Sequence, residues 1–219
     1  MVLVDVSPDP SDDEREVLEQ ELARRSVGAA GILHHRLGRH LPGPHVVGGY
    51  TWDLAVDGDN QTAIGHLSNL IGREGQRPGG VSLADGVLLD LVSAGSREPD
   101  IADCVKRTLL LRVDGGTSSE LVERFEADLL AMPHYVPAIR NWSLSRAVPV
   151  AGDRGWTHVW EQEFRDLDGL RHDYMETPYH WGVVDQWFYP GGPTRIVDPG
   201  LAHVFCPSPR SVLTWSEEA

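Results

Sequence analysis

Lysine is almost missing from this chain: Lys106 is the only one among 219 residues. An imine-forming lysine enzyme would have to use that residue, which narrows such chemistry sharply. Cysteine is scarce as well. Cys104 and Cys206 can build neither a disulfide scaffold nor a four-thiolate zinc site. No run approaches the roughly 18 apolar residues a membrane helix needs. Positive charge is thin, with 19 Lys+Arg against 33 Asp+Glu and a formal net charge of −14. The deficit is even: residues 1–99 and 100–219 each carry −7. With no basic stripe to neutralise phosphates, nucleic acid and anionic membranes are not expected partners. No G-x-G-x-x-G turn or P-loop is present, and Gly79-Gly80, Gly115-Gly116 and Gly191-Gly192 read as turns. The acidic start, Met1-Val2-Leu3-Val4-Asp5, lacks a basic n-region and a secretory core, so a reducing cytoplasm is the expected location.

What is present is a pattern that occurs twice. Residues 2–6 alternate as a strand, and residues 7–14 read as turn, N-cap and acidic first helical turn. Val17, Leu18, Leu22 and Ala23 give that helix its apolar stripe. Strands are expected at 32–41 and 50–56, split by Pro42-Gly43-Pro44 and Gly48-Gly49, then a helix at 61–71 and a strand at 87–92. The second half repeats the order: strand 106–113, a helix carrying Leu121, Val122, Phe125, Leu129 and Met132, strands 139–148 and 156–164, a helix ending before Pro178, and a closing strand 195–205. Gly49-Tyr50-Thr51-Trp52 answers Gly155-Trp156-Thr157-His158, and residues 94–100 read as the linker. The expected fold is α+β: two ferredoxin-like βαββαβ units, residues 1–96 and 103–210, whose open sheet faces bury each other as an internal pseudo-dimer.

Chemistry concentrates between Trp156 and Trp187. Strand alternation puts Trp156, His158, Trp160, Gln162 and Phe164 on one face, which reads as a pocket wall or, equally simply, as core with one bonded histidine. Tyr174 follows Leu167 and Leu170 at helical spacing and points inward, and the break at Pro178 lets His180 fold back to the same sheet. A near-neutral histidine and a tyrosine donor in one apolar cavity can move a proton beside a carbonyl. The plainer alternatives are a core tyrosine and a helix-capping histidine. His172 and His134 read as solvated, and His203 as a core or rim residue.

Gly155-Trp156-Thr157-His158, Glu163-Phe164-x-Asp166 and Asp173-Tyr174-x-x-x-Pro178-x-His180 resemble the stress-responsive A/B barrel (Dabb) family of the dimeric α+β barrel superfamily. The resemblance covers about Lys106 to Phe205, while the first half matches by pattern only. It implies a barrel of two facing sheets, normally formed across a homodimer. Characterised members include a plant polyketide cyclase and a hydroxynitrile lyase. The cyclase's working tyrosine and histidine fall on Tyr174 and His180, and a further pocket histidine falls on His158. Where the cyclase carries a first-strand histidine this chain has Arg107, and near the position of its first-helix pocket tyrosine stands Leu129.

The resulting expectation is a cofactor-independent cyclase or carbon–carbon lyase acting α to a carbonyl. His180 is the base and Tyr174 the donor, with His158, Trp156, Trp160, Gln162, Trp181 and Arg107 around a small hydrophobic or aromatic carbonyl substrate. An internal partner for each sheet makes the family's homodimer non-obligatory, so either a monomeric pseudo-dimer or a homodimer fits. Two rivals stand beside this reading. One is a non-catalytic barrel binding a hydrophobic ligand. The other is a metal- or haem-dependent enzyme using histidines such as His34, His35, His40 and His45, or His158, His172 and His180, though neither set has a metal-site spacing.

Overall fold

The computed structural model describes residues 1–6, 10–42, 49–72 and 81–214. The expected turn at 7–9, the bend at Gly43-Pro44, His45, Gly48 and the Gly79-Gly80 turn lie outside the described residues. In chain order the first half gives β1 (Val2–Val6), α1 (Asp12–Ser26), β2 (Ile32–Arg39), β3 (Gly49–Val56), α2 (Asn60–Ile71) and β4 (Val81–Ser96). The second gives β5 (Ala102–Leu111), α3 (Ser119–Tyr135), β6 (Asn141–Ala151), β7 (His158–Phe164), a broken helix and β8 (Ala202–Arg210).

Local chemistry sets the boundaries. Ser11 caps α1 in a capping box with Glu14, and Asp59 and Ser118 cap α2 and α3 by accepting from Thr62 N and Leu121 N. Leu18 and Leu22 are buried on the inner side of α1, whereas Val17 is exposed, so the apolar stripe is narrower than its spacing suggests. Where the sequence reads a linker from Ala94, β4 instead runs on to Ser96, because Ala94, Gly95 and Ser96 pair with Ser143, Trp142 and Asn141 of β6. Gly95 permits this approach, since a Cβ there would sit 2.2 Å from the Trp142 ring. The closing strand begins at Ala202 rather than Arg195: residues 195–197 only cross the sheet end, through a single bridge between Val113 and Val197.

All eight strands form one antiparallel sheet in the order β2-β3-β1-β4-β6-β7-β5-β8. Each half therefore has the ferredoxin-like order 2-3-1-4, and the halves join edge to edge through β4 and β6. The two outer strands then approach each other, with Leu41 N donating to Phe205 O at 2.8 Å. Gly38 makes that seam possible, since a Cβ there would lie 2.3 Å from Cys206 Sγ. The sheet is thus a nearly closed α+β barrel, which leaves little unpaired edge.

The two faces of the sheet differ in kind. The barrel interior combines an apolar cluster (Met1, Leu3, Val87, Leu110, Trp156, Val159, Ala202, Val204) with buried charge. Lys106 Nζ lies 2.6 Å from Asp53 Oδ1 and 2.7 Å from Glu161 Oε1, tying β5 and β7 to β3 of the other half. Burial alone would lower the Lys106 pKa, but Asp53 and Glu161 outweigh it and raise it. The one lysine is consequently a charged strut, and its amine is not available as a nucleophile. The outer faces are covered by helices: α1 and α2 over the first half, α3 and the broken helix over the second.

Candidate functional site

The broken helix makes the site. Its first piece, Gly169–Tyr174, is a wide π-type turn opened by Asp166, whose carboxylate accepts from Gly169 N at 2.8 Å. Pro178 interrupts the chain, a second wide turn runs His180–Val184, and a 3-10 turn follows over Asp185–Trp187. Such turns are concentrated at functional positions because they displace side chains from regular helical spacing. Contacts to α3 pin the segment. Trp187 Nε1 donates to Asp128 Oδ2 at 2.9 Å, Tyr179 Oη donates to Asp128 O at 3.1 Å, and Tyr179 stacks on Tyr135 at 4.2 Å.

Held this way, the segment arches over the sheet and leaves a cavity of about 220 Å3. Its walls are largely apolar: Leu109, Leu129, Trp160, Val184, Phe188 and Leu201. Five polar side chains join them, namely Arg107, Tyr174, His180, Asp185 and His203. Few and convergent polar groups in an apolar enclosure are the usual anatomy of a small-molecule site.

Tyr174 is the centre of this group. Its ring centroid lies 4.8 Å from that of His180 and 4.8 Å from the Arg107 guanidinium carbon. Its hydroxyl oxygen faces the Trp160 indole N–H, and its O–H donates to Met132 Sδ at 3.8 Å, a weak acceptor that leaves the proton available to a ligand oxygen. Burial raises the Tyr174 pKa, partly opposed by Arg107, so the group is a proton-bearing donor at neutral pH. For His180, burial lowers the pKa first, Asp185 opposes, and Arg107 adds to the lowering. The imidazole is therefore neutral and able to accept a proton. Its Nδ1 faces Asp185 Oδ1 at 3.6 Å, which leaves Nε2 as the basic position.

Arg107 is buried and held by two neutral acceptors, donating from Nη1 to Gln162 Oε1 at 2.7 Å and from Nε to His203 Nε2 at 2.7 Å. Because His203 accepts at Nε2, its proton sits on Nδ1.

The structure thus brings together Tyr174, His180, Arg107 and Trp160, with Gln162 directly behind Arg107. It sets the other expected residues elsewhere. His158 is buried beside the cavity rather than on its wall, with Nδ1 2.9 Å from Thr157 Oγ1 and Nε2 3.1 Å from Glu126 Oε1, and Arg146 holds that carboxylate at 2.8 and 3.0 Å. Both ring nitrogens are occupied, so His158 anchors α3 to β7. Trp156 faces the barrel interior with Val159, because β7 begins only at His158 and the pleat does not extend back to it. Trp181 is 60% exposed and donates to Glu176 O, away from the walls. His172 and His134 are exposed, the latter in the last turn of α3 rather than in a turn beyond it. Among the described residues, no three of His, Cys, Asp and Glu come together in a set that could hold a metal ion.

Two wall residues escaped the sequence reading, Asp185 and the role of His203. His203 pairs across from Leu109 in the β5–β8 ladder, so it shares the face of Arg107. That parity was legible once the strand was placed correctly. Asp185 carried no such signal, since its approach to His180 depends on the wide turn.

The fold and this enclosed site define the class: an α+β barrel of the dimeric type, built here within one chain, with a small-molecule-sized cavity. Residues 105–197 match the model of the stress responsive A/B barrel (Dabb) domain. No curated protein sequence matches the chain. An anthrone oxidase-like protein superposes over 100% of this chain and 95% of its own, with a TM-score of 0.68 at 9% identity. A putative monooxygenase from Fusobacterium nucleatum covers 94% of this chain and 89% of its own, with a TM-score of 0.55 at 10% identity. At such identities the likeness is one of fold, and it extends over both halves. No helix among the described residues is long and apolar enough to cross a membrane.

Proposed function

We propose that the second-half cavity is the active site of a cofactor-independent acid–base enzyme acting α to a carbonyl, closing a ring by aldol or Claisen-type addition or running the reverse cleavage. The observation that carries this reading is the convergence of a neutral histidine and a protonated tyrosine, rings 4.8 Å apart, on one apolar cavity. His180 Nε2 takes the α-proton, the C–H electron pair forms a carbon–carbon double bond, and the carbonyl π pair moves onto oxygen to give an enolate. Tyr174 donates its hydroxyl proton in a hydrogen bond to that oxygen, where charge develops. In aldol closure the enolate carbon then adds to a second carbonyl of the same molecule, and the imidazolium returns its proton to the new alkoxide. In the Claisen form the tetrahedral alkoxide re-forms the carbonyl and expels the acyl leaving group, which takes that proton. Positioned proton transfer of this kind contributes about 10²–10⁴-fold, and folding a flexible substrate against the walls adds proximity. Asp185 steadies the imidazole and the imidazolium that forms.

The test is a co-crystal with aromatic β-polyketones and phenolic aldehydes. Ligand density with a carbonyl oxygen against Tyr174 Oη and an adjacent carbon facing His180 supports the reading. Ligand confined to other surfaces, with the cavity collapsed and His180 bonded to a backbone carbonyl, overturns it in favour of a structural barrel.

A further inference from the structure

The polar groups lining the cavity floor are unbalanced toward donors. Arg107 is 3% exposed, yet among the described residues no carboxylate lies within ion-pair distance of it. Its two bonded acceptors, Gln162 Oε1 and His203 Nε2, are neutral. Burying a guanidinium without a counter-charge is costly unless something else supplies the charge. The neighbouring donors share the deficit. Gln162 Nε2 is buried without a hydrogen-bond acceptor, and on the same face of β7 the buried Trp160 Nε1 has only the Tyr174 hydroxyl oxygen to turn to. Gln162 cannot turn its amide to help, because its oxygen is already committed to Arg107. A guanidinium edge on the wall of a largely apolar cavity, backed by an amide N–H that lacks an acceptor, describes a site for an anion.

The other buried side-chain cation does not stand this way. Lys106 has Asp53 and Glu161, and even the half-buried Arg154 has Asp5 and Asp85. Among the described residues, Arg107 is thus the one buried arginine or lysine without a carboxylate partner. Size fits too, since about 220 Å3 holds a small aromatic acid.

We infer that Arg107 is the anchor for a substrate carboxylate, making the substrate class a small aromatic or ring-forming keto acid rather than a neutral ketone. This rests on the cavity being the active site, as proposed above. Tyr174 is packed against both Arg107 and His180, so an acid seated on Arg107 keeps its carbon frame beside the Tyr174 ring, within reach of His180. His203 and Gln162 are positioning residues that fix the plane of the guanidinium fork, which sets the direction of a bidentate carboxylate.

Calorimetry on matched pairs tests the assignment: benzoylacetate against its methyl ester, and 2,4-dihydroxybenzoate against its methyl ester. The wild-type protein is expected to bind each acid roughly tenfold or more tightly than the ester, the size of a charge-assisted hydrogen-bond pair. Arg107→Met is expected to bring acid and ester within about twofold, Arg107→Lys to keep part of the preference, and the surface control Arg112→Met to keep all of it. Equal or tighter binding of the esters by the wild-type protein overturns the anchor, and that comparison needs no variant to fold. His180→Ala separates this inference from the catalytic reading. It is expected to retain the acid preference while losing proton transfer, and loss of the preference in His180→Ala with its retention in Arg107→Met would overturn the assignment to Arg107.

Discussion

The two halves share strand order and helix-covered faces, and they use those faces differently. In the first half, α2 is a regular helix that lays Leu67, Leu70 and Ile71 onto the sheet, beside Leu18 and Leu22 of α1. The space left beneath, between Val2, Val4, Trp52 and Ala84, is about 10 Å3, too small for a ligand. In the second half the corresponding helix is broken, and about 220 Å3 opens over the equivalent strands. The strand registers make the correspondence concrete. Trp52 stands opposite Val2 as Trp160 stands opposite Leu109, and Leu54 takes the place of Gln162. One half closes its face with aliphatic side chains and serves as the barrel's other wall. The other leaves it open and lines it with titratable groups. Opening a cavity forgoes packing stability, so the cost falls where function resides.

Breaking that contrast should have its largest effect at the pair itself. His180→Ala is expected to lower turnover by about 10²–10⁴-fold with an unchanged far-UV CD spectrum, and Tyr174→Phe to act in the same direction through loss of the donor. Unaltered steady-state rates in both variants would remove the proposed roles. Next comes the structural half: Trp52→Ala is expected to cost about 3–5 kcal/mol in urea unfolding while leaving acid binding in the second-half cavity intact at temperatures where the protein stays folded. Lys106→Met leaves Glu161 buried without its cation and Asp53 with only Arg36, at 3.6 Å, with an expected loss of about 3–5 kcal/mol. A denaturation midpoint unmoved by that change would mean the strut between halves contributes nothing.

The smallest effect is on pH. Burial depresses the His180 pKa, so the base stays neutral until the pH falls below its ordinary value of 6.5, and the acid limb of kcat/KM is expected beneath that value. Asp185→Asn removes the one group opposing the depression and should carry the limb to still lower pH. The same linkage acts on stability: the contribution of neutral His180 is complete above the unfolded value and fades as pH drops through the folded one. A limb that moved upward in the Asn variant would contradict the pairing.

The fold was largely legible because it rests on period and punctuation. Alternating strands, capped helices and turn glycines occur twice in one order, and that order leaves few topologies. Errors came where tertiary pairing overrides local signals. Gly95 reads as linker but is strand, because Trp142 needs the space a side chain would fill. The correspondence of Gly49–Trp52 with Gly155–His158 is displaced by two residues, since the ladders place Tyr50 and Trp52 where His158 and Trp160 stand. The same displacement explains Trp156, which falls before the strand and turns to the barrel interior. At the site, Tyr174 and His180 could be read from an inward helical position and a proline break. The engagement of His158 is not legible in the sequence, because nothing in its own strand announces Glu126 on α3, which occupies its Nε2.

Hydrogen exchange at carbon tests the central claim most directly, because it reports proton abstraction without requiring the natural substrate. Benzoylacetate methyl ester and a set of aromatic ketones would be incubated in D2O with the protein, and deuterium incorporation at the α-carbon followed by NMR. The account predicts exchange above the buffer rate with wild-type protein and none above it with His180→Ala. Exchange equal in the two proteins, or absent from both across the set, would contradict an acid–base site in the second-half cavity.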